Sequence, residues 1–356
     1  MKLHLSLIMA MTLGMSIISC KKPDLSSPGT YTMLSEEVMH EGTWLQWPHD
    51  HTYANHIARH EETFVEITRA LHTGERVHII AYDNTEKDRI SAVLTGEGID
   101  MTQIDLFVCK TDDYWARDNG PIFVLDQNGT PTIQNWGFNG WGDKTAYENC
   151  NQVPKKIAEA YGIPSINIDL INEGGSVELD GNGTLMAKKS SILNRNRNPG
   201  ISQKEAESVF TKYLGVTNFI WLKGYKGGDI TDDHIDGTAR FVNGNTIVTL
   251  REEDAYPGEY KRLANATNAN GEKYTIVDLP FSKNTLPGSE EKGIYVNFYI
   301  GNAVVLVPNF DDPNDEVAND IIQGLFPEKT VVGIPAIELG IDGGGVHCVT
   351  QQQPLF

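Results

Sequence analysis

The alternation of apolar and polar positions predicts helices separated by short strands along most of the chain. Apolar residues recur at helical spacing in five segments, and each segment ends near a glycine or a proline. The predicted helices cover about 57–73, a stretch through Ile90 to Gly96, about 153–161, the stretch from Ser202 to Gly215 and the stretch from Asn314 to just before Pro327, with a further short one within 257–268. Ser202 and Glu205 have the spacing of a capping box, so the fourth helix has the clearest start.

Runs rich in β-branched and aromatic residues lie between these helices. They cover 77–82, 122–125, 132–136, 246–250, 295–300 and 304–307. Gly301 and Asn302 separate the last two runs and predict a tight hairpin turn. Paired strands between helices favour a repeated unit with a mixed sheet over a doubly wound parallel sheet. No linker is apparent after residue 30, which favours a single domain.

The first 30 residues have the pattern of an export segment. Met1 and Lys2 form a short basic start before a largely apolar stretch over 3–18, which is too short to span a membrane comfortably. Residues 17–20 resemble a bacterial lipobox, which predicts a lipoprotein-type signal peptide over 1–19, lipidation of Cys20 and a tether over 20–30. An ordinary cleaved signal peptide is the alternative. We therefore expect an exported, periplasm-facing protein that touches the membrane only through a lipid anchor at Cys20.

Composition and charge narrow the classes of function. The 356 residues are 40% hydrophobic, which suffices for a sizeable core. A formal net charge of −19 argues against nucleic acid as a partner and permits attraction of a cationic substrate. Apart from Cys20, the cysteines are Cys109, Cys150 and Cys348. Three cysteines do not make a disulfide framework, so at least one thiol is unpaired within the chain.

Cys348 is the first candidate for chemistry. It closely follows Gly343, Gly344 and Gly345, which allow positive φ and a close approach of the backbone to a ligand. A thiolate in such a place suits a nucleophile. The alternative is a buried, inert thiol behind a glycine turn.

His234 and Asp236 are the second candidates. In an extended stretch, residues two apart point to the same face, so both side chains would face one cavity. A histidine beside a carboxylate suits a general acid/base. A surface histidine with a solvated aspartate is the alternative.

Two further carboxylates lie in unusual segments. Asp118 follows Trp115 closely, and a carboxylate near an aromatic ring suits a cationic group. The alternative is a structural ion pair between Arg117 and Asp118. Glu173 precedes two glycines, which on its own is a weak signal.

The sequence implies no metal and no cofactor. Zinc sites need closely spaced Cys and His, whereas the cysteines here are widely scattered. The glycines at 343–345 lack the pattern of a phosphate-binding loop. The acidic run 311–316 leaves open a calcium site, against a solvated loop that caps the next helix.

Four short segments carry these residues, and together they resemble the guanidino-group-modifying enzymes, in particular the agmatine deiminase and Porphyromonas-type peptidylarginine deiminase family. The segments are 112–121, 173–176, 234–237 and 343–354, and the likeness also includes 43–48, 136–142, 193–199 and 295–300. It covers about residues 33 to 354. The resemblance implies a five-bladed pseudo-symmetric α/β propeller, the pentein fold, as a single catalytic domain over 31–356 with its active site on the central axis.

The resemblance also implies a role for each candidate. Cys348 matches the nucleophile and His234 the general acid/base. Asp118 and Asp236 match the carboxylates that hold the guanidinium, and Glu173 matches the carboxylate that supports the histidine or the substrate nitrogens.

The implied reaction is hydrolytic deimination of a small cationic guanidinium substrate, through an amidino-cysteine intermediate and without a metal. Trp115, Asp113 and Gly345 would lie near the rest of the substrate. The motifs are closer to agmatine deiminases, which make N-carbamoylputrescine, than to peptidylarginine deiminases, whereas an export signal is unusual for the former. Peptidylarginine stays open as a substrate, as does a non-catalytic, lipid-tethered protein that binds cations. The oligomeric state is also open, a homodimer included.

Overall fold

The computed structural model describes residues 30–356. The predicted signal peptide, Cys20 and the tether up to residue 29 lie outside the described residues. Within the described range, no helix combines the length and apolar character needed to cross a membrane.

The predicted helices are confirmed with small shifts of their ends. The longer helices are His56–Leu71, Asn84–Gly96, Val153–Tyr161, Gln203–Leu214, Glu259–Ala264 and Asn314–Leu325. Short α-helical segments occupy Ala116–Asn119, Gly140–Asp143, Lys189–Ile192 and Ile337–Ile341, and 3-10 turns occupy Met101–Gln103, Cys150–Gln152, Gly174–Ser176, Ile235–Gly237 and His347–Val349. The capping box is present: Ser202 Oγ accepts from the backbone N–H of Glu205, and the carboxylate of Glu205 accepts in return. Gly215 ends this helix at φ 76°, a left-handed conformation that favours glycine.

Across residues 30–356, five sheets repeat one pattern. Two antiparallel strands are followed by a connection that contains helix and by a third strand parallel to the second. In the order of this pattern the strands are Ile122–Asp126, Pro131–Asn135 and Ser165–Asn167; Val177–Leu179, Thr184–Lys188 and Asn218–Leu222; Ala239–Val242, Thr246–Leu250 and Thr275–Leu279; Tyr299–Ile300, Val304–Asn309 and Thr330–Pro335; and Gln351–Pro354, His40–Gln46 and Arg76–Ala81. The expectation of a repeated mixed-sheet unit is therefore correct.

The remaining strands extend these sheets or form a hairpin. Tyr31–Thr32 joins the first sheet, and Ile104–Val108 joins the last one. Phe281–Thr285 pairs with Lys292–Ile294.

The two ends of the described chain meet in one sheet. Gln351–Pro354 pairs with His40–Gln46, and Trp44 Nε1 donates to Gln353 Oε1 at 2.8 Å. The last strand therefore completes the sheet that the first part of the chain begins, and it holds the segment that carries Cys348 in place.

The prediction of a strand over 295–300 is wrong for the first four of these residues. Only Tyr299–Ile300 pairs, with Val304–Asn309 across the predicted hairpin, where Gly301 N donates to Val304 O at 2.9 Å. Residues 295 and 296 form a turn and residues 297 and 298 have no regular structure. Asn297 is buried and bonds to two distant segments of the chain instead of a neighbouring strand.

Removal of the capping hydroxyl should weaken the helix Gln203–Leu214. Ser202→Ala should lower the free energy of unfolding by about 1 kcal/mol, because the N–H of Glu205 loses its acceptor. Urea unfolding checks this value. Ser208→Ala in the same helix is the matched control, because Ser208 Oγ only donates back to Lys204 O, and its effect should stay within about 0.5 kcal/mol. Equal losses in both variants would contradict the capping role.

Candidate active site

Each of the five repeated sheets is preceded by a turn that leads into its first strand. These lead-in turns are Ala116–Asn119, Gly174–Ser176, Ile235–Gly237, residues 295–298 and His347–Val349. They contact one another in a closed ring. Gly175 N donates to Asp118 Oδ1 between the first two turns, and Glu173 contacts His234 between the second and the third. Asn297 Nδ2 donates to Asp236 O, His347 N donates to Asn297 O, and Arg117 Nε donates to His347 O, which joins the last turn to the first. All five residues predicted to be catalytic lie on or next to these turns.

Cys348 lies on the last lead-in turn. Its backbone N–H donates to Asn297 Oδ1 at 3.3 Å, and its thiol lies 3.7 Å from Asp236 Oδ2. Of the three glycines before it, Gly343 has positive φ, at 89°. Gly344 allows the ring of Trp115 to pack closely against the backbone, because a Cβ at this position would lie 2.3 Å from that ring.

The thiol of Cys348 is held in its neutral form. Burial raises the pKa of Cys348 well above its usual value, and the charges of Asp236 and Asp118 raise it further. A thiolate at this position therefore needs a positive charge beside it.

His234 contacts carboxylates through both ring nitrogens. Nε2 lies 3.2 Å from Glu173 Oε2, and Nδ1 lies 3.6 Å from Asp118 Oδ1. Burial lowers the pKa of His234, but Asp118, Glu173 and Asp236 outweigh it and raise the pKa to about 9. The expected extended stretch is a 3-10 turn over Ile235–Gly237, which still brings His234 and Asp236 to one side. A Cβ on Gly175 would lie 2.8 Å from His234 Nδ1 and 2.9 Å from Asp236 Oδ2, so both groups approach the same glycine.

Glu173 is held by Arg197, a residue that the sequence did not single out. Arg197 Nε donates to Glu173 Oε1 at 2.9 Å, and its Nη2 donates to Thr231 O at 2.8 Å. Burial raises the pKa of Glu173, but His234 and Arg197 outweigh it and lower the pKa. Arg197 therefore keeps Glu173 ionised and joins it to the segment that precedes His234. Its only signal was its place within 193–199.

Asp118 accepts from neutral donors. Trp141 Nε1 donates to Oδ2 at 2.8 Å, and Gly175 N donates to Oδ1 at 3.1 Å. Burial and the charges of nearby carboxylates raise the pKa of Asp118 despite the charge of His234. The alternative of an ion pair between Arg117 and Asp118 is wrong, because Arg117 Nη2 pairs with Glu36 Oε2 at 2.9 Å.

Asp236 is oriented by His347, whose Nδ1 lies 2.7 Å from Asp236 Oδ2. Burial opposes ionisation, but the hydrogen bond and the charges around it lower the pKa of Asp236 to about 2. His347 and Asn297 both lie inside segments that resembled the family, but nothing in the sequence pointed to their contacts.

A cavity of about 710 Å³ opens onto this cluster. Cys348, His234 and Asp236 lie on its wall, together with acidic residues such as Asp229, Asp254 and Glu290. Among the predicted substrate-tail residues, Trp115 packs on Gly344, Gly345 packs on Asn297, and Asp113 accepts from Tyr114 N. Their contact with a substrate stays a prediction.

Within residues 30–356, one group of side chains has the composition of a metal site. It consists of His56, His60 and Asp342. The carboxylate of Asp342 already accepts from Arg59, His60 and Tyr114, so the group also works as an anchor of the helix His56–Leu71.

The acidic run 311–316 uses its carboxylates for backbone contacts. Asp312 accepts from the backbone N–H groups of residues 283, 284 and 314, and Asp315 accepts from those of residues 310 and 312. These contacts fit the interpretation of a loop that caps the next helix.

Loss of one carboxylate should make the thiol of Cys348 more reactive. Asp118→Asn removes a charge that raises the pKa of Cys348, so its alkylation by iodoacetamide at pH 7 should become about tenfold faster. Peptide mass spectrometry distinguishes Cys348 from Cys109 and Cys150. Asp113→Asn is the control, and its rate should equal that of the wild type. A slower reaction in Asp118→Asn would contradict this account of the electrostatics.

Comparison with known proteins identifies the family. The family model described as Porphyromonas-type peptidyl-arginine deiminase matches residues 32–354. Agmatine deiminase from Pseudomonas aeruginosa is 32% identical over 361 residues, which cover 91% of this chain and 95% of that one. The structure of agmatine deiminase of Enterococcus faecalis superimposes with a TM-score of 0.81 at 26% identity, over 91% of this chain and 96% of that one. A C. jejuni agmatine deiminase with substrate bound gives the same TM-score, identity and coverage. The chain is thus a hydrolase that acts on C–N bonds, and it belongs to the Porphyromonas-type peptidyl-arginine deiminase family.

Proposed function

We propose that this chain hydrolyses agmatine to N-carbamoylputrescine and ammonia, with Cys348 as the nucleophile. The observation that carries the proposal is the convergence of Cys348, His234 and Asp236 on one cavity wall. A second carboxylate, that of Asp118, lies 3.6 Å from His234 Nδ1. The names of the relatives support agmatine as the substrate.

Asp118 and Asp236 are proposed to hold the guanidinium. Its positive charge would offset both carboxylates that raise the pKa of Cys348, so the thiolate forms when the substrate binds. Two fixed carboxylates also place the central carbon within reach of sulfur.

The first half-reaction forms a C–S bond and breaks a C–N bond. The thiolate attacks the guanidinium carbon, and His234, protonated at neutral pH, gives a proton to the departing nitrogen, which leaves as ammonia. A positively charged amidino group remains on sulfur.

The second half-reaction returns the enzyme to its first state. Water attacks the same carbon and passes one proton to His234. The C–S bond then breaks, the remaining hydroxyl proton passes to the sulfur, and the neutral ureido product leaves. Glu173 and Arg197 would keep His234 in place throughout both steps.

Peptidylarginine is the second candidate substrate. A cavity of about 710 Å³ is large for a substrate of agmatine's size, and Tyr256 at its wall is 47% exposed. A wide opening would admit a chain on either side of an arginine.

We also propose that the five repeated sheets form the blades of a propeller around the ring of lead-in turns. The closed order of contacts between these turns supports this arrangement. An export signal with lipidation at Cys20 remains a proposal from the sequence.

The nucleophile can be tested with a panel of substrates. Ammonia and ureido product should form from agmatine faster than from free arginine or an acetylated arginine peptide. Cys348→Ala should lower kcat by about four orders of magnitude or more. Cys109→Ala, which removes another buried thiol, is the control and should retain activity. Activity of Cys348→Ala equal to that of the wild type would contradict the proposed mechanism. Tight binding of agmatine by the wild type without turnover would favour a non-catalytic binding protein.

The pH dependence should report His234. Because His234 must carry a proton to release ammonia, kcat/KM should fall as the pH rises through about 9. Glu173→Gln removes a charge that raises the pKa of His234, so this fall should move to lower pH. Measurement of kcat/KM between pH 6 and 10 for both proteins checks this, and an unmoved basic limb in Glu173→Gln would contradict it.

A further inference from the structure

A second histidine lies beside the nucleophile, and the reaction described above does not use it. His347 is 1% exposed and precedes Cys348 directly. Its Nδ1 lies 2.7 Å from Asp236 Oδ2, and its Nε2 lies 2.9 Å from Glu36 Oε2. One imidazole therefore bridges a carboxylate of the site and a carboxylate beneath it.

Glu36 is itself surrounded by donors from distant segments. Arg117 Nη2 and Arg240 Nη2 donate to its two oxygens at 2.9 and 2.8 Å, and Ile300 N donates at 2.9 Å. Glu178 Oε1 lies 3.9 Å from His347 Nε2, so it also faces the imidazole. The charged groups around His347 are thus three carboxylates and two guanidinium groups.

The contacts determine which nitrogens of His347 carry protons. Burial raises the pKa of Glu36, but Arg240, His347 and Arg117 outweigh it and lower the pKa well below its usual range. Asp236 is ionised too. An ionised carboxylate only accepts hydrogen bonds, so an imidazole that satisfies both contacts carries a proton on each nitrogen.

We propose that His347 is a positioning residue: an imidazolium, held by Glu36, that fixes Asp236 Oδ2 against the thiol of Cys348 and against the guanidinium. The part that concerns the substrate rests on the proposed deiminase function, whereas the part that concerns the thiol does not. Because Oδ2 also lies 3.7 Å from Sγ, the charge of His347 offsets the carboxylate that most disfavours the thiolate.

Removal of this cation should therefore have two effects. The thiolate of Cys348 becomes harder to form, and the carboxylate of Asp236 loses the donor that orients it. The first effect is measurable without any substrate, by the pH dependence of Cys348 alkylation. The second appears in kcat/KM for the guanidinium substrate.

The experiment compares His347→Gln with His78→Gln. His78 is the matched control, because it is a buried histidine that also bridges two carboxylates, Glu41 at 2.7 Å and Asp105 at 3.0 Å, on a strand outside the site. His347→Gln should raise the midpoint pH of Cys348 alkylation by about one unit and lower kcat/KM by about 10- to 100-fold. His78→Gln should change only the melting temperature. Its alkylation midpoint and its kcat/KM should equal those of the wild type.

Two results would overturn the proposal: an unchanged alkylation midpoint in folded His347→Gln, or equal changes in both variants. If His347→Gln does not fold, NMR of the ring nitrogens of His347 in the wild type carries the test, because an imidazole that donates to both Asp236 and Glu36 bears a proton on Nδ1 and on Nε2. An unprotonated ring nitrogen in the folded wild type at pH 7 would overturn the proposal. If no guanidinium compound is turned over, the alkylation result still decides the role of His347. Failure of the proposed deiminase function can therefore be distinguished from failure of this proposal.

Discussion

The burial of several carboxylates close together is the constraint on which the centre of this molecule depends. Ionised groups taken out of water cost several kcal/mol each unless they are paired and hydrogen-bonded. Glu173 is paired with Arg197, and Asp236 is paired with His347. Asp118 accepts hydrogen bonds from the neutral donors Trp141 and Gly175. Its pKa is raised despite the charge of His234 3.6 Å away, so its charge is the least compensated of the three. The site therefore retains a place where a cation lowers the free energy.

The repeated sheets bring the residues of this buried site together. Each sheet begins after a lead-in turn, and a turn exposes backbone donors and acceptors that a strand would use for pairing. Gly175 N and the carbonyl of His347 serve the neighbouring turns in this way. Residues more than a hundred positions apart thus share one buried site, while the strands behind them supply a hydrophobic core.

Features encoded within one segment could be predicted from the sequence, and features that join distant segments could not. The helix Val153–Tyr161 and the strand Thr246–Leu250 follow from local periodicity. The β-branched and aromatic residues of the run 295–300 predict one continuous strand. The prediction fails because Asn297 bonds to partners that lie far away in the sequence. Glu36 had no local signal, because its partners Arg117, Arg240 and His347 lie 81, 204 and 311 residues away. The roles proposed for Cys348 and His234 follow from the family resemblance, because each segment alone left an inert alternative.

The electrostatics of the site also bear on the release of product. A guanidinium that enters brings one positive charge, and a thiol that ionises gives up one proton, so together the two events leave the charge of the site unchanged. The ureido product is neutral. With it in the site, no substrate cation faces Asp118 and Asp236, and both raise the pKa of Cys348, so the thiolate takes up a proton. Substrate and thiolate are therefore stabilised together, whereas product and thiolate are not, so the site holds the cationic substrate more tightly than the neutral product.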